Sequence, residues 1–348
     1  MSEYEINRIY PSDTRSMEQV DKLLQQENIT RDKNLDYTVG MFDTDYNLVA
    51  TGSCFKNTLR CFAVDHHHQG EGLLNTVISH LIDYEYTMGN LDLFIYTKIT
   101  TAKFFADVGF YEVARVDNRL VFMENRKDGF SRYLDNLAKD CKNAPKIGGV
   151  VMNANPFTLG HQYLLEKASQ SCDYVHVFVL SEEASPIPFS VRYDLVKKGS
   201  AQFKNLLYHP SGDYIISSAT FPSYFLQEDN LIIETQAALD VKIFIKIAEK
   251  LGINQRFVGE EPFSRVTGIY NKVMGEELKK ASIMYTIIPR RENAQGPISA
   301  SKIRESIKNG RIEEIKSAVP QSTYEFFTSE DAKPIIAQIK ALKDTIHY

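Results

Sequence analysis

Apolar residues along the first half of the chain follow several short periods. They recur at helical spacing between Ser16 and Gln26, and three strand-like apolar runs follow. Next come a longer helix, a buried strand, a short helix that ends at Gly109, and a closing hairpin. The predicted order is α-β-β-β-α-β-α-β-β, which indicates a mixed α/β domain.

Strands and helices alternate in the second half. An apolar strand over 148–154 runs into a helix that begins at Leu159, and a second strand over 174–180 precedes another helix. Further strands are predicted at 255–259 and 282–290. This alternation predicts βαβ units on a parallel, Rossmann-like sheet, whose ligands bind at the carboxyl ends of the strands.

The chain length and a polar stretch between two different patterns predict two domains. A chain of 348 residues exceeds what one hydrophobic core usually organises. The polar stretch with "NAPK" separates the two patterns. We therefore predict a first domain over 1–128, a connecting segment over 129–145 and a second domain over 146–348.

Composition argues against nucleic-acid and membrane partners and indicates a cytoplasmic protein. The net charge of −5 leaves no excess of Lys and Arg to neutralise a nucleic-acid backbone. The chain has no apolar run of about 18 residues and its N-terminus lacks a signal-peptide core. Its four cysteines are scattered, as in reduced proteins. We expect a cytoplasmic protein with no nucleic-acid and no membrane partner.

Residues 153–161, here called the phosphate corner, join the first strand of the second half to a helix. Gly160 permits close approach of a ligand, and the first helical turn offers free amides and a favourable dipole to an anion. Thr158 can cap the helix, and His161 can donate Nε2–H or carry charge if protonated. This chemistry suits a phosphate.

A structural interpretation of the same histidine stays open at this point. His161 shares a helical face with Leu164, Leu165 and Ala168. A lone histidine on an apolar face is more often a satisfied core residue than a ligand.

A second motif, Ile298–Arg304, opens another helix after a predicted strand. Ser299 or Ser301 would cap that helix, and Arg304 would be a fixed cation, although an ordinary capped helix has the same pattern. The ordered pair resembles the nucleotidyltransferase superfamily, with Thr158-x-Gly160-His161 as its H/T-x-G-H motif and Thr in place of the first His. Such enzymes direct attack on the α-phosphate of ATP or CTP.

The resemblance implies site residues and cofactors. It makes His161, Thr158 and Arg304 catalytic, and implies ATP with Mg²⁺ but no metal site built from protein ligands. Arg192 and Lys197 would be cations for the triphosphate, although a solvated basic helix face explains them equally well. The residues implied to contact ATP are Asn153, Asn155, Phe157, Gly160, Arg192, Lys197, Gly259, Glu260, Ser299 and Ser301.

In the first half, residues 69–72 form the sequence Gln-Gly-Glu-Gly ahead of a helix. This turn resembles the pyrophosphate-binding turn of GCN5-related acetyltransferases, with Leu74 where that fold has a small residue. The resemblance implies that Gln69, Gly70 and Gly72 bind a CoA-like group. The preceding residues 66–68, three histidines, are expected to form an exposed loop rather than a metal site.

The whole chain resembles the citrate lyase ligase family, through this combination of domains and through segments 213–226 and 256–274. The resemblance implies that the protein activates acetate with ATP to acetyl-AMP. It would then acetylate the thiol of the CoA-like prosthetic group on the acyl carrier subunit of citrate lyase. An adenylyltransferase of coenzyme synthesis, an acetate-activating enzyme acting on tRNA and a nucleotide-sensing regulator are the alternatives.

Overall fold

A computed structural model describes residues 4–139, 141–183, 185–215, 221–222, 229–260, 265–293 and 296–342. The chain forms two compact units. One comprises Met1–Tyr133 with Pro222–Leu239, and the other comprises Leu134–Phe221 with Asp240–Tyr348. The sequence analysis placed 222–239 in the second domain, so this division differs from the predicted one, and the predicted bounds stay a prediction.

The first unit contains one mixed sheet and its covering helices. Its strands are β1 (Glu5–Ile9), β2 (Tyr37–Phe42), β3 (Leu48–Phe55), β4 (Thr58–Val64), β5 (Phe94–Thr97), β6 (Tyr111–Val116) and β7 (Leu120–Glu124). Its helices are α1 (Thr14–Gln26), α2 (Leu73–Thr87) and α3 (Ala102–Asp107), and α4 (Gly129–Ala138) follows. The strand order is β1-β2-β3-β4-β5-β7-β6, which confirms a mixed α/β fold.

The predicted element order omitted β1. This strand pairs antiparallel with β2 at the edge of the sheet, and three of its five residues are exposed. A short edge strand with so few buried positions shows little apolar alternation, so periodicity does not detect it. The predicted end of α3 is confirmed, since Gly109 has a φ of 93°.

Strands β4 and β5 separate soon after they begin to pair. They run parallel, and their paired positions are Thr58 with Phe94 and Leu59 with Ile95, at the start of both strands. The remaining residues of β4 diverge from β5. An opening therefore lies between the carboxyl ends of these two strands.

The second unit contains a parallel sheet in the order β10-β9-β8-β11-β12, which confirms the predicted Rossmann-like arrangement. These strands are β8 (Ile147–Met152), β9 (Tyr174–Val179), β10 (Leu206–Pro210), β11 (Gln255–Gly259) and β12 (Met284–Ile288). Two short strands, β13 (Glu292–Asn293) and β14 (Gly296–Pro297), form a hairpin. The helices are α5 (Leu159–Ser171), α6 (Phe189–Gly199), α8 (Arg265–Lys280), α9 (Ala300–Lys308), α10 (Gln321–Thr328) and α11 (Lys333–Ala341), together with the part of α7 (Asp229–Leu251) that begins at Asp240.

Apolar residues on both faces of the parallel sheet explain its central position. Val150 and Val177 pack with Leu165 and Leu195, from α5 and α6. On the opposite face α7 approaches closely, because a Cβ added at Gly149 would lie 2.9 Å from the Phe244 ring. Burial on both faces is what a parallel sheet requires, and it leaves the strand ends as the place for a ligand.

Candidate phosphate-binding site

The phosphate corner begins where β8 ends. A cis peptide bond joins Asn155 to Pro156, and Thr158 then takes the N-cap position of α5. The Thr158 hydroxyl accepts a hydrogen bond from the His161 backbone N–H at 3.3 Å, and the Thr158 N–H donates to His161 Nδ1 at 3.1 Å. This reciprocal cap confirms that Thr158 caps the helix.

The cap also fixes the tautomer of His161. Because Nδ1 accepts from a backbone N–H, the proton of the neutral ring lies on Nε2. Burial, helped by the positive charge of Arg290, lowers the pKa of His161 to about 4. At neutral pH the side chain is therefore an uncharged donor, and the extra charge considered in the sequence analysis is absent from the free protein.

His161 is not part of the apolar core. Leu164, Leu165 and Ala168 of the same helix are buried in a core cluster, whereas His161 keeps partial exposure. Its ring is parallel to that of Phe157, with centroids 5.8 Å apart. Phe157 itself is fully buried, and a Cβ added at Gly199 would lie 2.6 Å from it. The side chain of Phe157 thus lies in the protein interior against the His161 ring and does not face a ligand, although the resemblance implied that it contacts ATP.

The two motifs, distant in sequence, meet at this corner. A Cβ added at Gly160 would lie 3.8 Å from the carbonyl oxygen of Ile298, the first residue of the second motif. Arg304 donates from Nη1 to the carbonyl oxygen of Asn155 at 2.5 Å. Packing around Gly160 would tolerate a methyl group, because its nearest neighbour would be Thr158 Oγ1 at 3.4 Å.

The second motif caps its helix differently from the prediction. Ser299 occupies the N-cap position of α9, but within the described residues its hydroxyl makes no capping bond. Ser301 instead accepts a hydrogen bond from Arg304 Nη2 at 3.2 Å. The first amides of α9 are therefore not capped by the serine that precedes them, contrary to the expected helix cap.

The side chain of Asn155 is buried without a partner. It is 3% exposed, and both its Oδ1 and its Nδ2 lack a hydrogen bond within the described parts of the chain. Leaving such groups unsatisfied costs about 1–3 kcal/mol each, so native proteins rarely keep them without a ligand or an ordered water. This residue is the corner's clearest sign of a binding role.

Arg192 lies in α6, on the helix where it was predicted, but its side chain points into the protein interior. It is fully buried, and its guanidinium donates to the carbonyl oxygens of Ile187, Leu180, Glu182 and Asn153 and to Asn153 Oδ1, at 2.5–3.0 Å. Burial lowers its pKa. These bonds use the guanidinium to join the ends of two strands to α6, so it does not face a triphosphate.

Of the remaining predicted ATP contacts, Asn153, Gly259 and Glu260 lie at the ends of the central strands, whereas Lys197 lies in the last turn of α6. Asn153 Nδ2 approaches Glu182 Oε1 at 3.5 Å, and exposed Lys197 lies over the ring of Tyr193. Gly259 and Glu260 end β11 and are exposed, and a Cβ added at Gly259 would meet no described atom within 4 Å.

One residue at this edge was missed. Arg290 follows β12 and donates from Nε to the carbonyl oxygen of Glu260 at 3.1 Å. A basic residue just after a predicted strand of a parallel sheet was the available signal.

The first unit has its own cavity, of about 560 Å³, between the diverging ends of β4 and β5; we call it the slot. Gln69, Gly70 and Gly72 line it, with φ values of 91° and 79° at the two glycines. Gly72 is the N-cap of α2, where a side chain is absent. The residues named by the acetyltransferase resemblance are thus brought together beside one cavity.

The histidine run precedes the slot. Asp65, His66 and His67 each offer a ligand atom, all within 4.8 Å of one another, but the two histidines are exposed and Asp65 already accepts from the His67 N–H at 2.9 Å. The expectation that this turn holds no metal stays a prediction. Segment 213–226 lies mostly outside the described residues, as do residues 261–264 of the other family-specific segment.

Comparison with known proteins identifies the family. The sequence profile of the citrate lyase ligase C-terminal domain matches residues 147–327. Citrate (pro-3S)-lyase ligase of Escherichia coli is 37% identical over 328 residues, covering 92% of this chain and 92% of its own. The enzyme of that name from Klebsiella pneumoniae is 35% identical, covering 89% and 92%. The chain belongs to the citrate lyase ligase family.

Solved structures resemble a smaller part of this family member. A Klebsiella pneumoniae protein named as a putative acyl-CoA N-acyltransferase is 17% identical, and the match covers 35% of this chain and 95% of that protein with a TM-score of 0.30. An acetyltransferase of the GNAT family from Staphylococcus aureus is 15% identical. The match covers 35% of this chain and 99% of that protein, with a TM-score of 0.30. No helix among the described residues is long and apolar enough to cross a membrane.

Proposed function

We propose that the protein is an ATP-dependent acetate ligase that acetylates the thiol of the CoA-like prosthetic group on the acyl carrier subunit of citrate lyase. Family membership supports the lyase as the target, since the relatives carry the name citrate (pro-3S)-lyase ligase. The observation that carries the chemistry is the meeting of the two motifs, where Arg304 bonds Asn155 beside Gly160.

In the first half-reaction an acetate oxygen attacks the α-phosphorus of ATP. A bond forms between that oxygen and phosphorus, the bond to the β-phosphate bridging oxygen breaks, and pyrophosphate leaves with its electron pair. His161 Nε2–H and the first amides of α5 would stabilise the charge on the phosphoryl oxygens. Arg304, held to Asn155, would supply the fixed positive charge.

The residues present fit ATP and its magnesium ion. The unpartnered amide of buried Asn155 offers a donor and an acceptor at the corner. Mg²⁺ binds oxygen ligands and keeps waters and phosphate oxygens in most nucleotide sites. Glu182, whose Oε1 lies 3.5 Å from Asn153 Nδ2, would offer a carboxylate ligand, and the ion would neutralise charge on the phosphates.

In the second half-reaction the acceptor thiol attacks the acetyl carbon of acetyl-AMP. The sulfur–carbon bond forms, AMP leaves as its phosphate anion, and the thiol proton passes to solvent or a base. The slot would admit the pantetheine arm, with Gln69, Gly70 and Gly72 at the CoA-like group. We also propose a cytoplasmic location, because thiols such as that of the prosthetic group are kept reduced there.

Mass spectrometry after mixing the protein with ATP, Mg²⁺ and acetate tests the first half-reaction. We expect acetyl-AMP and an acetate-dependent exchange of pyrophosphate into ATP. Exchange that instead required a phosphorylated acceptor would favour the coenzyme-synthesis alternative. A gel shift with tRNA would favour the RNA-acting one. Finding neither acetyl-AMP nor AMP would overturn the proposal.

A further inference from the structure

Lys98 is the cation of the slot. It follows β5 directly, and it is the only Lys or Arg among the described residues that line this cavity. Its Nζ donates to the backbone carbonyl oxygen of Glu27 at 2.9 Å, a bond that uses one of the three N–H donors of an ammonium group. The side chain is partly buried. The ammonium is therefore held at the wall of the slot.

The slot that holds Lys98 has largely apolar walls. Strand β4 contributes residues 62–64, and α3 contributes Phe104 and Phe105. An apolar environment disfavours the charged form of an acid, so these walls by themselves would raise the pKa of a thiol bound between them. Because the thiolate is the nucleophile, such a slot would slow attack on an acetyl group unless a positive charge lies nearby.

Three other titratable side chains line the slot, each from a different element. Glu27 is the C-cap of α1, His68 lies in the turn after β4, and Tyr96 belongs to β5. His68 Nδ1 lies 3.4 Å from Asp65 Oδ1, and the residue adjoins the turn that would hold the phosphate end of the CoA-like group. A carboxylate and a phenol do not stabilise a thiolate by charge. Lys98 is therefore the lining group best suited to do so.

We propose that Lys98 stabilises the thiolate of the CoA-like group in the second half-reaction. The arm would lie between the ends of β4 and β5, with its sulfur near the Lys98 ammonium. The thiol loses its proton to solvent, the sulfur bonds the acetyl carbon of acetyl-AMP, the bond from that carbon to the phosphate oxygen breaks, and AMP leaves as its phosphate anion. A neighbouring cation lowers the pKa of a thiol, so more nucleophile is present at neutral pH.

This inference rests on the proposed function and deepens it by naming the group that activates the acceptor. A test of it must separate acetyl transfer from the activation of acetate by ATP. It must also separate an effect on ionisation of the thiol from an effect on binding of the arm, because a residue that only positions the arm has the second effect alone.

The experiment supplies acetyl-AMP and pantetheine to the whole chain and follows thioester formation against pH, after subtraction of the rate without protein. We expect Lys98→Met to lower the rate at pH 7 by at least about 10-fold, the effect of raising the thiol pKa by one unit. The loss should be much smaller near about pH 9.5, where a thiol ionises without help. Lys98→Arg keeps the charge and should keep most of the rate.

Matched variants control for the loss of a lysine and of its hydrogen bond. Lys103→Met makes the same change at an exposed position of α3 outside the described lining, and it should leave the pH profile unchanged. Lys98→Gln keeps a donor for the Glu27 carbonyl without the charge, and it should show the pH-dependent loss of Lys98→Met. It takes the place of Lys98→Met if the methionine variant does not fold.

A loss of equal size at every pH would overturn the inference, because it would mean that Lys98 only positions the arm or supports the fold. An unchanged rate in Lys98→Met and Lys98→Gln would overturn it as well.

Failure of this inference and failure of the proposed function give different results. Thioester formation by the unaltered protein, with no pH-dependent loss in Lys98→Met, overturns the inference alone. A pH-dependent loss in Lys98→Met, without acetyl-AMP formation from ATP and acetate, overturns the proposed first half-reaction alone. An unaltered protein that forms no thioester from acetyl-AMP and pantetheine overturns both the proposed transfer and the inference.

Discussion

At the scale of single residues, the helix cap at Thr158 determines the tautomer of His161, the proposed catalytic donor. The Thr158 N–H donates to Nδ1, so Nε2 carries the proton of the neutral ring. Neutrality removes any need to protonate the ring before ATP binds. The cap therefore stabilises α5 and selects the tautomer that a phosphate requires.

We predict that His161→Ala abolishes acetyl-AMP formation while costing only about 1 kcal/mol of stability, the value of a partial cap. The Thr158 hydroxyl still caps the helix in that variant. Urea unfolding and mass spectrometry measure the two effects. Gln170→Ala, an exposed position on the same helix, serves as the control. Loss of folding with activity preserved in the refolded fraction would restore the core interpretation of this histidine.

We predict that the second unit loses stability as the pH falls. His176 is fully buried against His209, and burial with the charge of that neighbour lowers the pKa of His176 to about 4. The unfolded chain binds the proton near pH 6.5, the folded chain only near 4, so the free energy of unfolding decreases as pH falls through this window. Each such histidine contributes about 1–2 kcal/mol between pH 7 and pH 5.

Thermal denaturation between pH 8 and pH 5 measures that slope. His176→Gln should flatten it, whereas His66→Gln, at an exposed position, should leave it unchanged. Equal slopes for the unaltered protein and His176→Gln would show that the buried pair is protonated in the folded state.

At the scale of elements, Arg192 connects three segments of the second unit. Its bonds reach residues that follow β8 and β9 and that precede α6, so one side chain holds three segments together. A buried cation of this kind is structural even though its sequence position suggested a ligand for phosphate.

We therefore predict that Arg192→Met costs about 3–5 kcal/mol of unfolding free energy, because it leaves buried carbonyl groups unsatisfied. Lys197→Met, on the exposed side of the same helix, should cost less than about 0.5 kcal/mol. Chemical denaturation measures both. A stable Arg192→Met variant with a raised KM for ATP would mean that the arginine contacts the nucleotide after all.

The sequence predicted secondary structure correctly where buried apolar residues recur at a regular spacing. Helix α1 and the central strands β8 and β9 lie where apolar spacing predicted them. Strand β10 was missed because Leu206–Pro210 carries a buried His209 and ends in proline, both unusual in a strand of a parallel sheet. The Ser299 cap was predicted from residue type alone, and the bonds of Arg304 decided otherwise.

At the scale of the whole molecule, the proposed function places the two half-reactions in separate units. Acetyl-AMP would form at the corner of the second unit, and the slot of the first unit would take the thiol arm. A change confined to the slot should therefore affect only the transfer of the acetyl group.

We predict that Thr100→Trp, at an exposed residue lining the slot, leaves acetyl-AMP formation unchanged and lowers acetylation of a pantetheine thiol by more than about 10-fold, as one blocked contact surface would. Thr87→Trp makes the same change at an exposed position that does not line the slot. Separate assays of AMP release and thioester formation distinguish the steps. Equal transfer rates in both variants would remove the slot from the reaction.

The sequence by itself determined the element types, the parallel sheet, the two chemical motifs and the family, because these depend on local periods and on residue types at short spacing. Tertiary structure decided which polar groups are free. It buried Arg192 among backbone carbonyls, left the Asn155 amide without a partner among the described residues and brought the Asn155 carbonyl to Arg304. Hydrogen bonds between segments distant in sequence make these assignments, and no local pattern encodes them.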